Sequence, residues 1–275
     1  MFTKTYSCSP DEFVKNSKIP IRVMESESAM YQEIAQIMFD TIKNNGDDKT
    51  VIICPVGPVG QYPIFAELVN KNKLSLKNCW FINMDEYLDD NDNIIDYNNP
   101  LSFKATMDRM LYSRIDGDLV MPEEQRLFPQ PGKEKDIDEL IEKLGKVDCV
   151  LTGVGINGHI AFNEPPEKDD LITDAEYKNT NTRCLDISRE TITRNGSGKI
   201  LGALDIFPRR CITLGMKQLL KAKTIKVYLY CDWQWGIMRK MALEGETRFA
   251  PVTFLQSHPN AEMVITEELY NNMIV

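Results

Sequence analysis

The chain has 275 residues, a formal net charge of -9 and only two histidines. Hydrophobic residues make up 43% of the sequence and charged residues 27%, which is typical of a folded globular protein rather than a disordered or collagen-like one. The acidic balance and the lack of a lysine- and arginine-rich block exclude the usual electrostatic signature of proteins that bind nucleic acid or anionic membranes. We therefore expect a small-molecule partner, and neither nucleic acid nor membrane.

The seven cysteines are odd in number and never take a C-x-x-C or C-x-x-H spacing. Most lie in apolar runs, which predicts reduced core thiols, no metal site and a cytoplasmic protein. No apolar run approaches the roughly 18 residues of a membrane span, and residues 1–20 mix charged side chains, so no signal peptide is expected either.

Short apolar runs rich in β-branched residues alternate with segments of helical periodicity. Unbroken apolar runs favour strands buried on both faces of a parallel sheet, and they cover residues 21–24, 50–54, 79–84, 147–152, 210–214, 225–230 and 263–266. Apolar residues at helical spacing predict helices at residues 28–44, 63–69, 136–144 and 235–243. The alternation predicts an α/β fold, organised as a single domain over residues 1–275.

A glycine turn follows the strand at residues 50–54 and opens the next helix. It contains Gly57, Val59 and Gly60. In an open α/β sheet, ligands bind beyond the carboxyl ends of the strands, and a glycine turn at a helix start can aim backbone N–H groups at an anion. These three residues are therefore candidates for substrate binding, and a tight turn without a ligand is the alternative.

Two adjacent carboxylates, Asp85 and Glu86, follow the strand at residues 79–84. Neighbouring acids raise each other's pKa, and a carboxylate at the mouth of a strand can act as a proton-abstracting base. Acidic residues also cap helices and occupy loops, so a structural role is the alternative for each of them.

The segment after residues 147–152 carries the most specific pattern. Three glycines, including Gly155 and Gly158, precede His159 and Glu164. Glycines let the backbone approach a bound group, and a carboxylate near an imidazole fixes its tautomer and keeps it basic. We expect Gly155 and Gly158 at the substrate, and His159 with Glu164 in acid–base chemistry.

These segments resemble the glucosamine-6-phosphate deaminase family, also called glucosamine-6-phosphate isomerase. Its members carry Asn-Met-Asp-Glu-Tyr, like residues 83–87, and Gly-Val-Gly-x-Asp-Gly-His-Ile-Ala-Phe-Asn-Glu-Pro, like residues 153–165. Further likenesses at residues 100–103, 208–220 and 255–259 extend the resemblance over residues 20–268. It implies a Rossmann-like, mostly parallel sheet with helices on both faces.

The resemblance also implies an activity, namely isomerisation of an aldose amino sugar phosphate to a ketose with loss of ammonia and without a cofactor. His159 would assist ring opening with Glu164 orienting it, and Asp85 would move a proton from C2 to C1. Glu86 would hold the loop or contact the sugar. The resemblance implies a sugar or sugar phosphate as substrate and leaves a homo-oligomer open.

The chain departs from the family at three places. Asn157 stands where the family has Asp among its catalytic residues, and an amide cannot serve as a base. The turn at residues 56–60 lacks two hydroxyls that bind phosphate, and residues 231–235 offer no counterpart to a phosphate-binding lysine. Arg194 or Lys199 could supply the missing cation, and these losses suggest a shifted substrate.

Two alternatives remain from other functional classes. The related sugar-phosphate lactone hydrolases share the Gly-x-Gly-x-Asp-Gly-His core but lack Phe-Asn-Glu-Pro, so residues 162–165 favour the isomerase. The other alternative is a sugar-binding protein without catalysis. The aromatic pair Trp233 and Trp235 suits either a sugar face or the core.

Overall fold

The computed structural model describes residues 3–272, in which ten strands form two sheets. The strands are β1 (Ile21–Met24), β2 (Thr50–Cys54), β3 (Cys79–Asn83), β4 (Asp85–Leu88), β5 (Arg126–Leu127), β6 (Cys149–Thr152), β7 (Arg183–Asp186), β8 (Arg210–Thr213), β9 (Thr224–Leu229) and β10 (Ala261–Thr266).

Eleven α-helices accompany these strands within residues 3–272. They are α1 (Lys4–Ser7), α2 (Pro10–Lys15), α3 (Glu27–Asn45), α4 (Gln61–Asn72), α5 (Phe103–Met110), α6 (Glu134–Leu144), α7 (Asp174–Lys178), α8 (Arg189–Lys199), α9 (Met216–Leu219), α10 (Trp235–Leu243) and α11 (Glu267–Asn271). None of the helices described here is both long enough and apolar enough to span a membrane.

The larger sheet is parallel throughout and has the strand order β1-β10-β9-β6-β2-β3-β5. The chain runs outward from β2 to β3 and β5, then returns to β6 on the other side of β2. This reversal leaves a crevice where the carboxyl ends of β2 and β6 diverge, which is the usual ligand position in such sheets. The topology therefore directs attention to the residues just after β2 and β6.

Helices cover both faces of this sheet because its strands are apolar on both sides. Along β2, Val51 and Ile53 belong to one hydrophobic cluster, whereas Ile52 and Cys54 belong to the other. The first cluster includes apolar residues of α6 and α10, and the second includes those of α3, α4 and α5. Alternation of side chains along a strand thus places the helical layers on opposite sides.

The smaller sheet is antiparallel, with the order β4-β8-β7. The chain enters it directly from β3, with only Met84 between the two strands. Asp85 is the first residue of β4 and lies opposite Thr213 of β8. A single residue therefore carries the chain from the parallel sheet to the antiparallel one, and Asp85 lies at the start of that second sheet.

The predicted mostly parallel α/β fold is confirmed. One strand differs from its prediction, because residues 210–214 were expected in the parallel sheet and β8 instead pairs with two antiparallel neighbours. An apolar run predicts burial, which β8 has at residues 211–213, but it does not specify the direction of the neighbouring strands.

The central position of β2 has a measurable effect on stability. Ile53 is fully buried and pairs with strands on both sides, so Ile53→Ala should lower the free energy of unfolding by ~2–5 kcal/mol. Ile206 is 70% exposed, and Ile206→Ala should change the free energy of unfolding by less than about 0.5 kcal/mol. Chemical denaturation measures the free energy of unfolding of both variants. Equal losses of stability in the two variants would contradict the central placement of β2.

Candidate active site

A cavity of about 320 Å³ opens at the carboxyl ends of β2 and β6. The turn after β2, the start of β4, the segment after β6, helix α8 and the residues before α10 line it. Six of the residues predicted from the sequence lie on its wall: Gly57, Asp85, Gly155, His159, Arg194 and Lys199. Asn157 and Glu164 lie behind this wall, in contact with His159.

Asp85 presents a carboxylate to the cavity with no hydrogen-bond partner among residues 3–272. The residue is only 6% exposed, and this burial raises the pKa of Asp85 to about 7. The nearby charge of Glu86 raises it further, while His159 and Lys199 lower it in part. A carboxylate with a pKa near neutrality can both accept and return a proton.

Glu86 was expected to hold the loop or to contact the sugar, and the structure places it away from the cavity, against the backbone. Its side chain is buried away from the cavity, and its carboxylate accepts the backbone N–H groups of Tyr87 (2.9 Å), Phe103 (3.0 Å) and Lys104 (2.9 Å). Burial raises the pKa of Glu86, and these backbone hydrogen bonds oppose that rise. Because Phe103 is the first residue of α5, Glu86 fixes the start of that helix.

The imidazole of His159 is oriented by Asn157. Asn157 Nδ2 donates to Glu164 Oε2 at 2.6 Å and to Ser188 Oγ at 3.0 Å. Because an ionised carboxylate only accepts hydrogen bonds, this contact fixes the amide so that Oδ1 faces His159 Nδ1, at 2.9 Å. Nδ1 of His159 must then carry a proton, which leaves Nε2 available for acid–base chemistry.

Glu164 supplies negative charge behind the imidazole. Its Oε2 lies 3.4 Å from His159 Nδ1. Burial raises the pKa of Glu164, but the charge of His159 and hydrogen bonds from His159, Asn157 and Thr191 outweigh it and lower the pKa to about 2. Glu164 is therefore ionised at neutral pH, and it stabilises His159 whenever the imidazole gains a proton.

The predicted glycines divide between the cavity and the packing around it. A Cβ at Gly155 would lie 2.0 Å from the His159 ring, so this glycine provides the surface on which the imidazole rests. Gly158 has φ +92° and packs against Ala250, and it does not line the cavity. Gly158 is therefore a packing residue rather than the substrate contact expected for it.

The glycine turn after β2 differs from its prediction in the same way. Gly57 lines the cavity, and a Cβ placed on it would meet nothing within 4 Å. Gly60, in contrast, packs under the ring of Tyr31, and Val59 packs against the apolar cluster on that side of the sheet. Neither Val59 nor Gly60 lies on the cavity wall.

Helix α8 brings the two predicted cations to the cavity. The guanidinium of Arg194 lies over the Trp233 ring, 4.6 Å from its centroid, and Arg194 Nε is buried with no hydrogen-bond partner in the described part of the chain. The ammonium of Lys199 lies 4.8 Å from the centroid of the Phe103 ring. Trp235, the other tryptophan of the predicted pair, is buried in the core and stacks on Tyr6.

The sequence did not identify several residues of this site. Phe103 and Tyr87 form the aromatic surface beside Lys199, and Thr191 Oγ1 lies 3.2 Å from His159 Nδ1. Phe103 stands in the Pro-Leu-Ser-Phe segment that resembles the family, which was the available signal. No sequence signal pointed to Thr191, because its position depends on how α8 packs against the segment after β6.

Comparison with protein-family models gives no match for this chain. A glucosamine-6-phosphate deaminase of Mycoplasma mycoides subsp. mycoides SC is 29% identical over 251 residues, covering 88% of this chain and 93% of the relative. A second, from Geobacillus sp. (strain WCH70), is 26% identical over 253 residues, covering 88% of this chain and 92% of the relative. The chain is a homologue of these deaminases.

Two solved structures have the same fold as this chain. A monomeric glucosamine-6-phosphate deaminase of the NagB superfamily matches with a TM-score of 0.77 at 24% identity, covering 91% of this chain and 98% of that one. A 6-phosphogluconolactonase from Plasmodium vivax matches with a TM-score of 0.65 at 15% identity, covering 96% of this chain and 98% of that one. The same architecture thus accommodates two reactions, and only the site residues can separate them.

The two histidines of the deaminase homologue should hold opposite tautomers when neutral. His159 should be protonated on Nδ1, which faces Asn157 Oδ1, whereas His258 should be protonated on Nε2, which faces the Ala222 carbonyl oxygen at 2.8 Å. Nitrogen-15 NMR of labelled histidine measures both tautomers. Asn157→Ala should change only the His159 signals, with His258 as the internal control. Two histidines protonated on Nε2 in the unmodified protein would contradict the proposed orientation of Asn157.

Proposed function

We propose that the chain is an aldose–ketose isomerase and deaminase that acts on an amino sugar phosphate of the glucosamine 6-phosphate type. One observation carries the proposal: Asp85 and His159 share a cavity, and within residues 3–272 neither the Asp85 carboxylate nor His159 Nε2 has a hydrogen-bond partner. Proton transfer between adjacent carbons needs a single base that can accept and return a proton, and the pKa of Asp85, about 7, suits that task.

Ring opening is the first step in this proposal and belongs to His159. Nε2 accepts the proton of the anomeric hydroxyl, the bond between C1 and the ring oxygen breaks, and Nε2 then gives the proton to that oxygen. The transient positive charge on His159 is stabilised by Glu164, whose pKa of about 2 keeps it ionised. Asn157 links the two side chains without adding a charge.

Isomerisation and loss of ammonia follow on the open chain. Asp85 removes the proton from C2, and the electron pair forms a double bond between C1 and C2 while O1 gains negative charge. The amino group begins as an ammonium and passes one proton to O1, which gives a neutral enamine. Asp85 then returns its proton to C1, which leaves an iminium at C2. Water attacks this carbon, its two protons pass to the nitrogen, and the C2–N bond breaks to release ammonium as the ketose carbonyl forms.

The terminal phosphate requires a cation in this proposal, and we assign it to Arg194. Among the described residues its Nε has no hydrogen-bond partner, and its guanidinium lies over the ring of Trp233, which lines the cavity together with Cys231. The resemblance to the deaminases puts their phosphate-binding turn near residues 231–235, and Arg194 approaches Trp233 of that segment from helix α8. Charge-assisted hydrogen bonds from arginine suit a phosphate.

The alternative, hydrolysis of a sugar-phosphate lactone, rests on likeness of fold alone. A cytoplasmic location belongs to the proposal as well. It is supported by the seven cysteines, all of which are free thiols in the structure, with five of them buried.

The proposal is tested by incubating the protein with glucosamine 6-phosphate and, separately, with 6-phosphogluconolactone. We expect ammonia and a ketose phosphate from the first and no acid from the second. Asp85→Asn should lower kcat by about 10²–10⁴-fold because the amide cannot accept the C2 proton. Asp90→Asn, an exposed carboxylate a few residues away, serves as the matched control and should have unchanged activity.

The pH dependence gives a second readout of the same assay. Because Asp85 must be ionised to accept a proton and its pKa is about 7, kcat/KM should fall as the pH drops below about 7. Acid release from the lactone without ammonia from the amino sugar would establish the hydrolase instead. Sugar-dependent thermal stabilisation without any turnover would establish a binding protein.

A further inference from the structure

Lys199 lies at the rim of the cavity, and within residues 3–272 its ammonium forms no ion pair. It lies 4.8 Å from the centroid of the Phe103 ring and 5.8 Å from that of Tyr87. The faces of aromatic rings attract a cation but do not neutralise it. The positive charge of Lys199 therefore remains available to a molecule in the cavity.

The carboxylates of Asp85 and Glu86 are close enough to affect the pKa of Lys199, but within residues 3–272 neither forms an ion pair with it. Lys199 as a whole is exposed, but its ammonium lies beside two aromatic rings, and the partial loss of solvent there lowers its pKa, while the negative charges of Asp85 and Glu86 oppose that change. Glu86 is already occupied by three backbone N–H groups. The carboxylate of Asp85 has no hydrogen-bond partner in the described residues. Lys199 and Asp85 thus share one end of the cavity while both remain free to act.

The two cations of α8 serve different ends of the cavity. Arg194 and Lys199 are five residues apart, which corresponds to roughly 7.5 Å along a helix and to different sides of its axis. Arg194 stacks on Trp233, whereas Lys199 stacks on Phe103, and Phe103 is held by Glu86 next to Asp85. Lys199 is therefore placed with the proton-transferring carboxylate and not with the candidate phosphate cation.

We propose that Lys199 is a catalytic residue that donates a hydrogen bond to O1 of the open-chain sugar and stabilises the negative charge formed there when Asp85 removes the C2 proton. The inference rests on the proposed function. Lys199 keeps its own proton throughout, and the proton that O1 finally carries comes from the substrate's amino group. The charge on O1 exists only between the two proton transfers, so a fixed cation there lowers the barrier rather than tightening substrate binding.

The surroundings of Lys199 explain how it is held in position. Glu86 fixes the first residue of α5 through the N–H groups of Phe103 and Lys104. The Phe103 ring packs against Tyr87, with 4.8 Å between ring centroids, and both rings lie beside the ammonium. Glu86 is thus a positioning residue for Lys199, which gives the second carboxylate of the Asp85–Glu86 pair a task of its own.

The test compares Lys199→Met with Arg194→Met in steady-state kinetics on glucosamine 6-phosphate. Lys199→Met should lower kcat by about 10²–10³-fold with KM nearly unchanged, because it removes a contact made to the transient charge. Arg194→Met should raise KM by 10-fold or more with a smaller change in kcat, because it removes a contact to the phosphate throughout the reaction. Lys199→Arg retains the charge and should restore part of kcat.

The pH profile provides a readout that a purely structural role for Lys199 would not change. Because Lys199 lowers the pKa of Asp85, the acid limb of kcat/KM should move to higher pH in Lys199→Met. Unchanged melting temperatures would show that both variants fold.

Three outcomes overturn the inference. Lys199→Met raising KM without lowering kcat would assign this residue to the phosphate, and normal kinetics would leave it without a catalytic role. In both cases the unmodified protein still releases ammonia, so the proposed function stands. An unmodified protein that releases no ammonia from glucosamine 6-phosphate would overturn the proposed function and this inference together.

Discussion

The backbone of Met84 joins the two sheets, and the geometry of the site depends on that junction. The Met84 N–H donates to the carbonyl oxygen of Cys54 in β2 at 3.1 Å, while the Met84 carbonyl oxygen accepts the N–H of Leu214, just after β8, at 2.7 Å. The N–H of Met84 is therefore bonded to the parallel sheet, and its carbonyl oxygen is bonded to the residue that follows β8 of the antiparallel sheet. Asp85 follows immediately, so its carboxylate is held at the mouth of the crevice by backbone on both sides.

Three buried carboxylates near this junction have three different environments. Glu86 is occupied by backbone N–H groups, Glu164 is paired with His159 and Asn157, and Asp85 has no partner among the described residues. Burial raises the pKa of Asp85 to about 7, while its partners bring that of Glu164 to about 2. A site with separated pKa values can hold one group ionised as a fixed charge and use the other to move a proton.

This arrangement also accounts for Asn157, which stands where the deaminase pattern that the chain resembles has Asp. An amide can accept from His159 with its oxygen and donate to Glu164 with its nitrogen at the same time. An ionised Asp at this position could not donate to Glu164 and would add a second negative charge beside it. The substitution therefore keeps the imidazole oriented while leaving Glu164 as the one fixed negative charge in this contact.

The sequence predicted the parallel sheet well because strands buried on both faces leave unbroken apolar runs, as in β2 and β3. The sequence also identified Asp85 and His159 as candidate site residues, because each lies in the segment that follows such a run. Other features depend on contacts distant in sequence. Glu86 is occupied by the start of α5, 17 residues later. Gly60 and Gly158 are required by packing against Tyr31 and Ala250. A glycine that admits a neighbouring side chain cannot be told from one that admits a ligand until both surfaces are known.

The central claim is that one shielded carboxylate both removes and returns the migrating proton. Its most direct test follows glucosamine 6-phosphate labelled with deuterium at C2 and measures, by NMR, the hydrogen isotopes at C1 of the ketose formed. Because Asp85 is only 6% exposed, we expect part of the deuterium to appear at C1. Complete replacement of the label by solvent hydrogen, or deuterium that stays at C2, would contradict the account.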